Sequence, residues 1–354
     1  MSMKKIISAL TLVLCLILTC ATGCSNSTHY REPERQYLVS AIGFDRQDDL
    51  MRVSLEVVIF KVGEAESSIE TKVFNGVGES VREGLGSLSG EISKLLLFSH
   101  CTLIVLGESL TPAQRQEALD FCTPDNDINI SASVICTPDA LALLSSGSIS
   151  TPVTGYDITG VLKQKSQDWG IKLNNKLYQI GDARLHEAGY YSLPKFIVNK
   201  DEDEEESLYS FVGIVIHLAD SPAIELSLPE SALYSLLCGS YGNGSFFIKD
   251  DSGDTLSPSV KHASSVVSGE YIGDELQVSI NCTLSLDEQR SDIGSPERLA
   301  KLLEDRAAEF IGRMTLDNDA DLFQIRHRIK IKDNPGAAPD MSALSAINVT
   351  FKVK

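Results

Sequence analysis

Apolar and polar positions alternate with period two soon after the start of the chain. The sequence opens with an apolar run at residues 6–18 and a polar stretch at 25–36, and the alternation follows. Residues 38–45 and 50–60 predict an antiparallel hairpin. In its second half, apolar residues at the odd positions 51–57 alternate with Arg52, Ser54 and Glu56. This pattern predicts a strand with one buried face and one exposed face.

Helical and strand patterns then alternate up to about residue 150. Cys101–Leu106 predicts a buried central strand, and Thr111-Pro112 predicts a helix start at which Gln114 completes a capping box. A strand is predicted at Ile128–Cys136, and Thr137-Pro138 repeats the N-cap arrangement before another helical stretch. A mixed α/β unit is therefore expected.

The second half of the chain is rich in strands. Alternation over Leu276–Leu286 predicts a half-buried strand, and Ser295-Pro296 begins an amphipathic helix that Gly312 is expected to end. Closing strands are predicted at Leu322–Lys332 and Ala346–Val353. The predicted fold class is α+β with mixed sheets and packed helices in several domains.

An acidic run, Asp201–Glu206, divides the pattern, and a solvated loop is its expected structure. The predicted organisation is a signal peptide at 1–23, a tether at 24–36, an N-terminal region at 37–200 and a C-terminal domain at 207–354. The N-terminal region is expected to contain subdomains at about 37–150 and 151–200.

The N-terminal segment predicts a lipid anchor at Cys24. Lys4 and Lys5 precede an apolar stretch, Ile6–Leu18, which is too short to span a bilayer. The small residues Ala21–Gly23 then lead to Cys24, the position at which bacterial lipoproteins are cleaved and carry a diacylglyceryl thioether. Two acyl chains suffice for stable anchoring. The alternative is an ordinary secretory signal that is cut elsewhere.

The charge of the chain argues against two classes of partner. The formal net charge of −18 is unsuited to nucleic acid, whose phosphates require clustered Lys and Arg. Anionic lipid headgroups also repel such a body. If the protein lies on a membrane, something other than charge must hold it there, and the lipid expected on Cys24 would do so.

The candidate reactive side chains do not form a catalytic or metal-binding pattern. Five cysteines follow Cys24 without paired spacing, at 101, 122, 136, 238 and 282, and are interpreted as small buried apolar residues, with one disulfide left open. His100 is interpreted as a structural hydrogen-bonding residue, and Asp45 and Glu108 as solvated strand ends. No catalytic residue, metal ligand or cofactor is predicted.

Several segments, in this order, resemble the Ger(x)C family, the lipoprotein C subunits of spore germinant receptors. The segments are Cys24, VSAIGFD at 39–45, RVSLEVV at 52–58, FSHCTLIVLGESL at 98–110, EALDF at 117–121, Leu193-Pro194 and GIVIHL at 213–218. The chain departs from the family pattern at Ser99, in SNSTHYREPE after Cys24, and in DLFQIRHRI at 321–329, which lacks glycines.

The resemblance implies a non-enzymatic receptor subunit of mixed α/β domains that is needed for nutrient-triggered germination. Its partners would be the A and B integral membrane subunits, and its location the outer face of the spore inner membrane. An extracytoplasmic solute-binding lipoprotein is the main alternative, and such a protein needs a cleft with convergent polar groups. An envelope hydrolase is a third possibility, which requires a catalytic group in a pocket.

Overall fold

A computed structural model describes residues 36–62, 67–147, 150–185, 190–199, 208–218, 222–316, 321–332 and 339–354. The signal peptide, Cys24 and nearly all of the predicted tether lie outside the described residues, as does the acidic run at 201–206. The described chain has an α+β fold with two main mixed β-sheets, as the sequence predicts.

The larger sheet contains nine described strands in the order β3-β2-β1-β5-β6-β7-β8-β9, with β4 beside β1. Strands β1, β5, β6 and β7 run parallel to one another, and the remaining neighbours on this path are antiparallel. The bounds are Gln36–Gln47 (β1), Leu50–Val62 (β2), Ser67–Gly78 (β3), Leu95–Leu97 (β4), Leu103–Gly107 (β5), Ser133–Thr137 (β6), Tyr190–Val198 (β7), Tyr209–Leu218 (β8) and Ile224–Ser227 (β9). The predicted β1–β2 hairpin is confirmed.

Helices cover both faces of this sheet. They are Val81–Ser87 (α1), Pro112–Phe121 (α2), Ala140–Ser145 (α3), Thr154–Asp168 (α4) and Leu177–Leu185 (α5). Buried side chains of α1, α2 and α5 belong to one apolar core, and those of α3 and α4 belong to a second core on the opposite face. The sheet is therefore the middle layer of three.

The capping box at Thr111 and Gln114 is confirmed, but the N-cap predicted at Thr137 is wrong. Thr137 is the last residue of β6, and Asp139 caps α3 by accepting a hydrogen bond from Ala142 N. The predicted strand at Ile128–Cys136 also begins later, at Ser133.

The remaining elements form the smaller sheet, a separate two-stranded hairpin of β11 and β12, and the helices of this part of the chain. They are Leu228–Leu237 (α6), Gly244–Ser245 (β10), Ile248–Lys249 (β11), Thr255–Leu256 (β12), Ser259–Ile272 (β13), Glu275–Leu286 (β14), Pro296–Leu316 (α7), Ile325–Arg328 (α8), Lys330–Ile331 (β15) and Leu344–Val353 (β16). The sheet order is β10-β13-β14-β16, with β15 beside β13. The alternation of β14 is confirmed, because every even-numbered residue from Leu276 to Leu286 is buried and no odd-numbered residue is.

Two predictions for this part are wrong. Helix α7 continues past Gly312 to Leu316, since the cost of one glycine, about 1 kcal/mol, is small beside the packing of its apolar face. The predicted strand at Leu322–Lys332 is instead α8 followed by the short β15. Asp321 favours the helical turn, because its carboxylate accepts hydrogen bonds from the backbone N–H groups of Ile325 and Arg326 at 2.6 and 2.7 Å.

The two sheets share one apolar core. Its buried members include Ala41 and Phe196 from the larger sheet together with Leu276 and Phe310 from the later part of the chain. The acidic run lies between β7 and β8 in sequence, and these two strands pair along their length. The division into domains at that point stays a prediction.

Candidate functional site

The chain enters the described fold at Gln36, the first residue of β1. This strand lies inside the larger sheet, with β2 on one side and β4 and β5 on the other. Eleven residues, 25–35, separate Cys24 from Gln36. The segment that follows Cys24 therefore leads to an interior strand of the sheet and not to an edge strand.

Asp45 is buried, so its interpretation as a solvated strand end is wrong. Its carboxylate accepts hydrogen bonds from the backbone N–H groups of Ala140 and Leu141, at 2.9 and 3.1 Å, at the start of α3. Arg52 Nη2 lies 3.2 Å from Asp45 and 3.1 Å from Asp139. Burial raises the pKa of Asp45, and the Ala140 N–H and Arg52 oppose that rise. The carboxylate thus holds α3 on the sheet.

Glu56 performs the same role for α4, and the sequence pattern missed it. Its two oxygens accept from Thr154 N at 2.6 Å, Gly155 N at 2.9 Å and Ser40 Oγ at 2.7 Å. Negative charge is favoured at a helix N-terminus, where backbone N–H groups lack partners within the helix. Alternation predicted an exposed face at Ser54 and Glu56, but both residues are fully buried. No local feature of β2 indicates that a helix covers this face.

The five cysteines after Cys24 are free, and four of them are buried, which confirms their interpretation as small apolar residues. Burial raises the pKa of Cys101 to about 12 and that of Cys282 to about 11. A thiol with such a pKa is almost entirely protonated at neutral pH and is a poor nucleophile. These cysteines therefore serve packing.

His100 and His217 lie in opposite environments. His100 is exposed in a short 3₁₀ turn, Phe98–His100. His217, which the sequence did not single out, is buried in β8 with its ring 5.3 Å from that of Tyr191, and neither of its nitrogens has a hydrogen-bond partner in the described structure. Burial, reinforced by the charge of Arg115, lowers the pKa of His217 to about 3. His217 is therefore a neutral core residue at physiological pH.

An apolar groove of about 540 Å³ lies between α6, α7 and the β11–β12 hairpin. Its floor consists of the buried side chains of Leu233, Phe246, Leu303 and Phe310. At its rim, Arg313 pairs with Glu230 at 2.6 Å, and Arg306 pairs with Asp251 at 3.2 Å. The groove can accept apolar groups, and the charged groups at its rim already pair with one another.

Among the described residues, no cluster of three or more His, Cys, Asp or Glu side chains is arranged to hold a metal ion. The described helices also include none that is both long and apolar enough to cross a bilayer.

Comparison with known protein families gives a match over residues 29–196, to the model described as spore germination protein N-terminal domain. Residues 29–196 are therefore similar to this spore germination domain. This confirms the resemblance to the Ger(x)C family. Among solved structures, the crystal structure of the GerBC protein is similar, with 13% sequence identity over 88% of this chain and 96% of that chain and a TM-score of 0.43. Comparison with curated proteins gives no match.

The matched region ends within β7, at Phe196. The motifs that carry the family resemblance form the middle of the larger sheet: VSAIGFD lies in β1, RVSLEVV in β2, and TLIVLG spans β5. Leu193-Pro194 lies in β7, opposite Val215 and Ile214 of β8. The site residue predicted from sequence, Cys24, precedes this sheet and lies outside the described residues.

Proposed function

We propose that this protein is the lipid-anchored C subunit of a spore germinant receptor and has no catalytic activity of its own. It would sit on the outer face of the spore inner membrane, held by a diacylglyceryl group on Cys24, beside integral membrane A and B subunits. The family match over residues 29–196 is the observation that carries this proposal.

The anchor is supported by the small residues before Cys24 and by the short distance to the fold. Fully extended, the chain from Cys24 to Gln36 spans about 40 Å at roughly 3.3 Å per residue. An anchor with so short a tether keeps the folded body at a high effective concentration near membrane partners. Transmission of a signal then requires that the body bind one state of the receptor better than another.

A role without catalysis is supported by what the buried polar groups do. Asp45 and Glu56 each hold the N-terminus of a helix, and His217 is neutral and enclosed. Catalytic groups need access to a substrate, and these groups are instead committed to the packing of the larger sheet.

The test is Cys24→Ala in the spore, with Cys20→Ala in the signal segment as the matched control. We expect Cys24→Ala to abolish nutrient-triggered germination and to release the protein from the membrane fraction. Cys20→Ala should leave both unchanged. Mass spectrometry of the native protein should find the diacylglyceryl group on Cys24. Normal germination of Cys24→Ala spores that contain the protein would contradict the proposal.

The alternative, a solute-binding lipoprotein, has one observation in its favour, the groove of about 540 Å³. Its volume falls within the range of small-molecule sites. A thermal-shift screen with amino acids and sugars separates the two functions. A ligand that raises the unfolding temperature of the native protein, but not that of a Leu233→Glu variant, would favour the alternative.

A further inference from the structure

One end of the larger sheet carries a transverse row of exposed apolar side chains. In the register of the sheet, Phe60 of β2 pairs with Ile69 of β3, and Gln36 of β1 pairs with Leu95 of β4. Strands β1 and β2 pair from Leu38 and Val58 onward, so the same register continued by two residues places Gln36 opposite Phe60. Ile69, Phe60, Gln36 and Leu95 therefore form one line across four strands, which we call the end row.

The end row projects on one face of the sheet. Successive side chains of a strand point to opposite faces. The neighbouring residues Ile59, Tyr37 and Leu96 pack against the core beneath α2 and α5. Phe60, Gln36 and Leu95 must therefore point to the other face, the one that α3 and α4 cover.

The cover on that face stops short of the end row. Glu56, which is two pleats inward from Phe60, binds the first N–H groups of α4. Thr71, one pleat inward from Ile69, donates a hydrogen bond to Pro152 O, just before the helix. Beyond these contacts Phe60 is 60% exposed, Leu95 53% and Ile69 45%. Ile69 and Phe60 are adjacent, and Leu95 follows beyond Gln36 in the same row. Exposed apolar side chains grouped in this way are typical of a surface that contacts a partner.

The entry point of the chain indicates what that partner is. Gln36 belongs to the end row, and it is also the residue to which the segment from Cys24 leads. If Cys24 is acylated, the end row is the part of the described body with the shortest connection to the bilayer. Lys72 and Lys94 do not belong to this surface, because their ammonium groups lie over the rings of Phe74 and Tyr37 on the opposite face of the sheet.

We infer that the end row is a membrane-contact surface that inserts Phe60, Ile69 and Leu95 into the interfacial layer of the bilayer. The inference rests on the proposed lipid anchor at Cys24. Apolar side chains gain free energy on leaving water whatever the net charge of the body, so this contact works despite the overall charge of −18. It would fix the orientation of the body relative to the membrane, with β1 directed away from the bilayer.

Tryptophan fluorescence can test the contact, because Trp169 is the single tryptophan of the chain. In a Trp169→Phe background, the reporters are Phe60→Trp and, in case the first does not fold, Leu95→Trp in the same row. The matched control is Val266→Trp in β13, at a site that is 55% exposed. Circular dichroism and thermal unfolding establish that each variant folds as the parent does.

The chain from Cys24 to Lys354 is coupled through the Cys24 thiol to vesicles of phosphatidylcholine and phosphatidylglycerol that contain a maleimide headgroup lipid. The buried cysteines, with their raised pKa values, do not compete. We expect the Phe60→Trp emission to shift to shorter wavelength on coupling and to be quenched by lipids brominated in the acyl chains. The Val266→Trp emission should show neither change.

Unchanged emission of both end-row reporters on vesicles, or equal changes in the Val266→Trp control, would overturn the inference and leave a protein partner as the occupant of the row. The vesicle assay does not test acylation, because maleimide coupling takes the place of the cellular lipid. The anchor at Cys24 is tested separately, by germination and by mass spectrometry. Conversely, if those assays show that Cys24 carries no lipid, the fluorescence result for the end row is unaffected.

Discussion

At the scale of single residues, buried ionisable groups decide how helices sit on the larger sheet. Glu56 and Asp45 lie on strands, and each accepts hydrogen bonds from the first backbone N–H groups of a helix far away in sequence. A buried carboxylate is costly unless such donors compensate it. Their removal should therefore cost far more stability than the removal of an exposed acid.

Glu56→Ala should lower the free energy of unfolding by about 3 to 5 kcal/mol, because it leaves the backbone N–H groups of Thr154 and Gly155 without an acceptor in the core. Urea denaturation measures the change. Glu275→Ala, at an exposed strand start, is the control and should change stability by less than about 0.5 kcal/mol. Equal effects of the two substitutions would show that Glu56 does not hold α4.

His217 should make stability depend on pH. The pKa of His217 in the folded protein, about 3, lies below the ordinary value of 6.5. Below pH 6.5 the unfolded chain therefore binds a proton at this side chain that the folded protein does not bind. Stability is therefore lost as pH falls. Between about pH 6.5 and pH 5, the stability of His217→Phe relative to the parent should increase by up to about 1.4 kcal/mol for each pH unit by which the pH falls. Urea denaturation at each pH measures the free energy of unfolding. The control is His262→Phe, at an exposed site in β13, whose curve of stability against pH should run parallel to that of the parent. If the curve of His217→Phe is also parallel to that of the parent, this account is contradicted.

At the scale of elements, close backbone approaches fix how neighbouring strands meet. Gly213 of β8 has φ of 145°, and a Cβ at this position would collide with Leu226 O of β9. The register of β7 against β8 shifts where Gly213 pairs, between Lys195 and Phe196. Only glycine adopts this backbone conformation without strain. The junction of β7, β8 and β9 thus depends on one residue without a side chain.

Gly213→Ala should destabilise the protein by about 3 kcal/mol or more, and hydrogen exchange should show the loss of protection first in β8 and β9. The matched control is Gly181→Ala in α5, where a Cβ meets nothing within 4 Å. That substitution should stabilise the protein by about 0.5 to 1 kcal/mol. Retained protection in β9 of Gly213→Ala would argue against the collision.

At the scale of the whole molecule, one apolar core joins the two sheets, and β8 and β9 complete the larger sheet from beyond the acidic run. The family match ends at residue 196, so these two strands extend the sheet past the matched region. Without them β7 would become an edge, and Phe196, which is fully buried, would lose neighbours in Tyr209 and Phe211. The matched region should thus depend on the later chain for its stability.

A fragment of residues 24–200 should therefore lack a cooperative unfolding transition or aggregate, whereas the chain 24–354 should unfold cooperatively. Adding a fragment of residues 207–354 should restore a soluble complex, because β7 and β8 pair along their length. Circular dichroism melts and gel filtration provide the measurements. Stable, cooperative unfolding of the 24–200 fragment alone would support an independent domain that ends before the acidic run.

Local patterns predicted those elements whose structure depends on neighbours in sequence. The β1–β2 hairpin follows from alternation, the start of α2 from Thr111 and Gln114, and β14 from its period of two. The errors at Gly312 and at Leu322–Lys332 have the opposite origin. In both places, packing or a side-chain cap outweighed a propensity worth about 1 kcal/mol or less.

The sequence by itself determined the α+β class, the family resemblance, the acidic character of the body and the expectation of a lipid on Cys24. These depend on composition, on local periodicity and on short motifs. The tertiary structure alone decided that Glu56 is buried under α4, that β8 joins β7, and that Phe60, Ile69 and Leu95 share one uncovered row. The physical reason is that a strand's own period identifies two faces but not what covers them, since burial depends on segments that are distant in sequence.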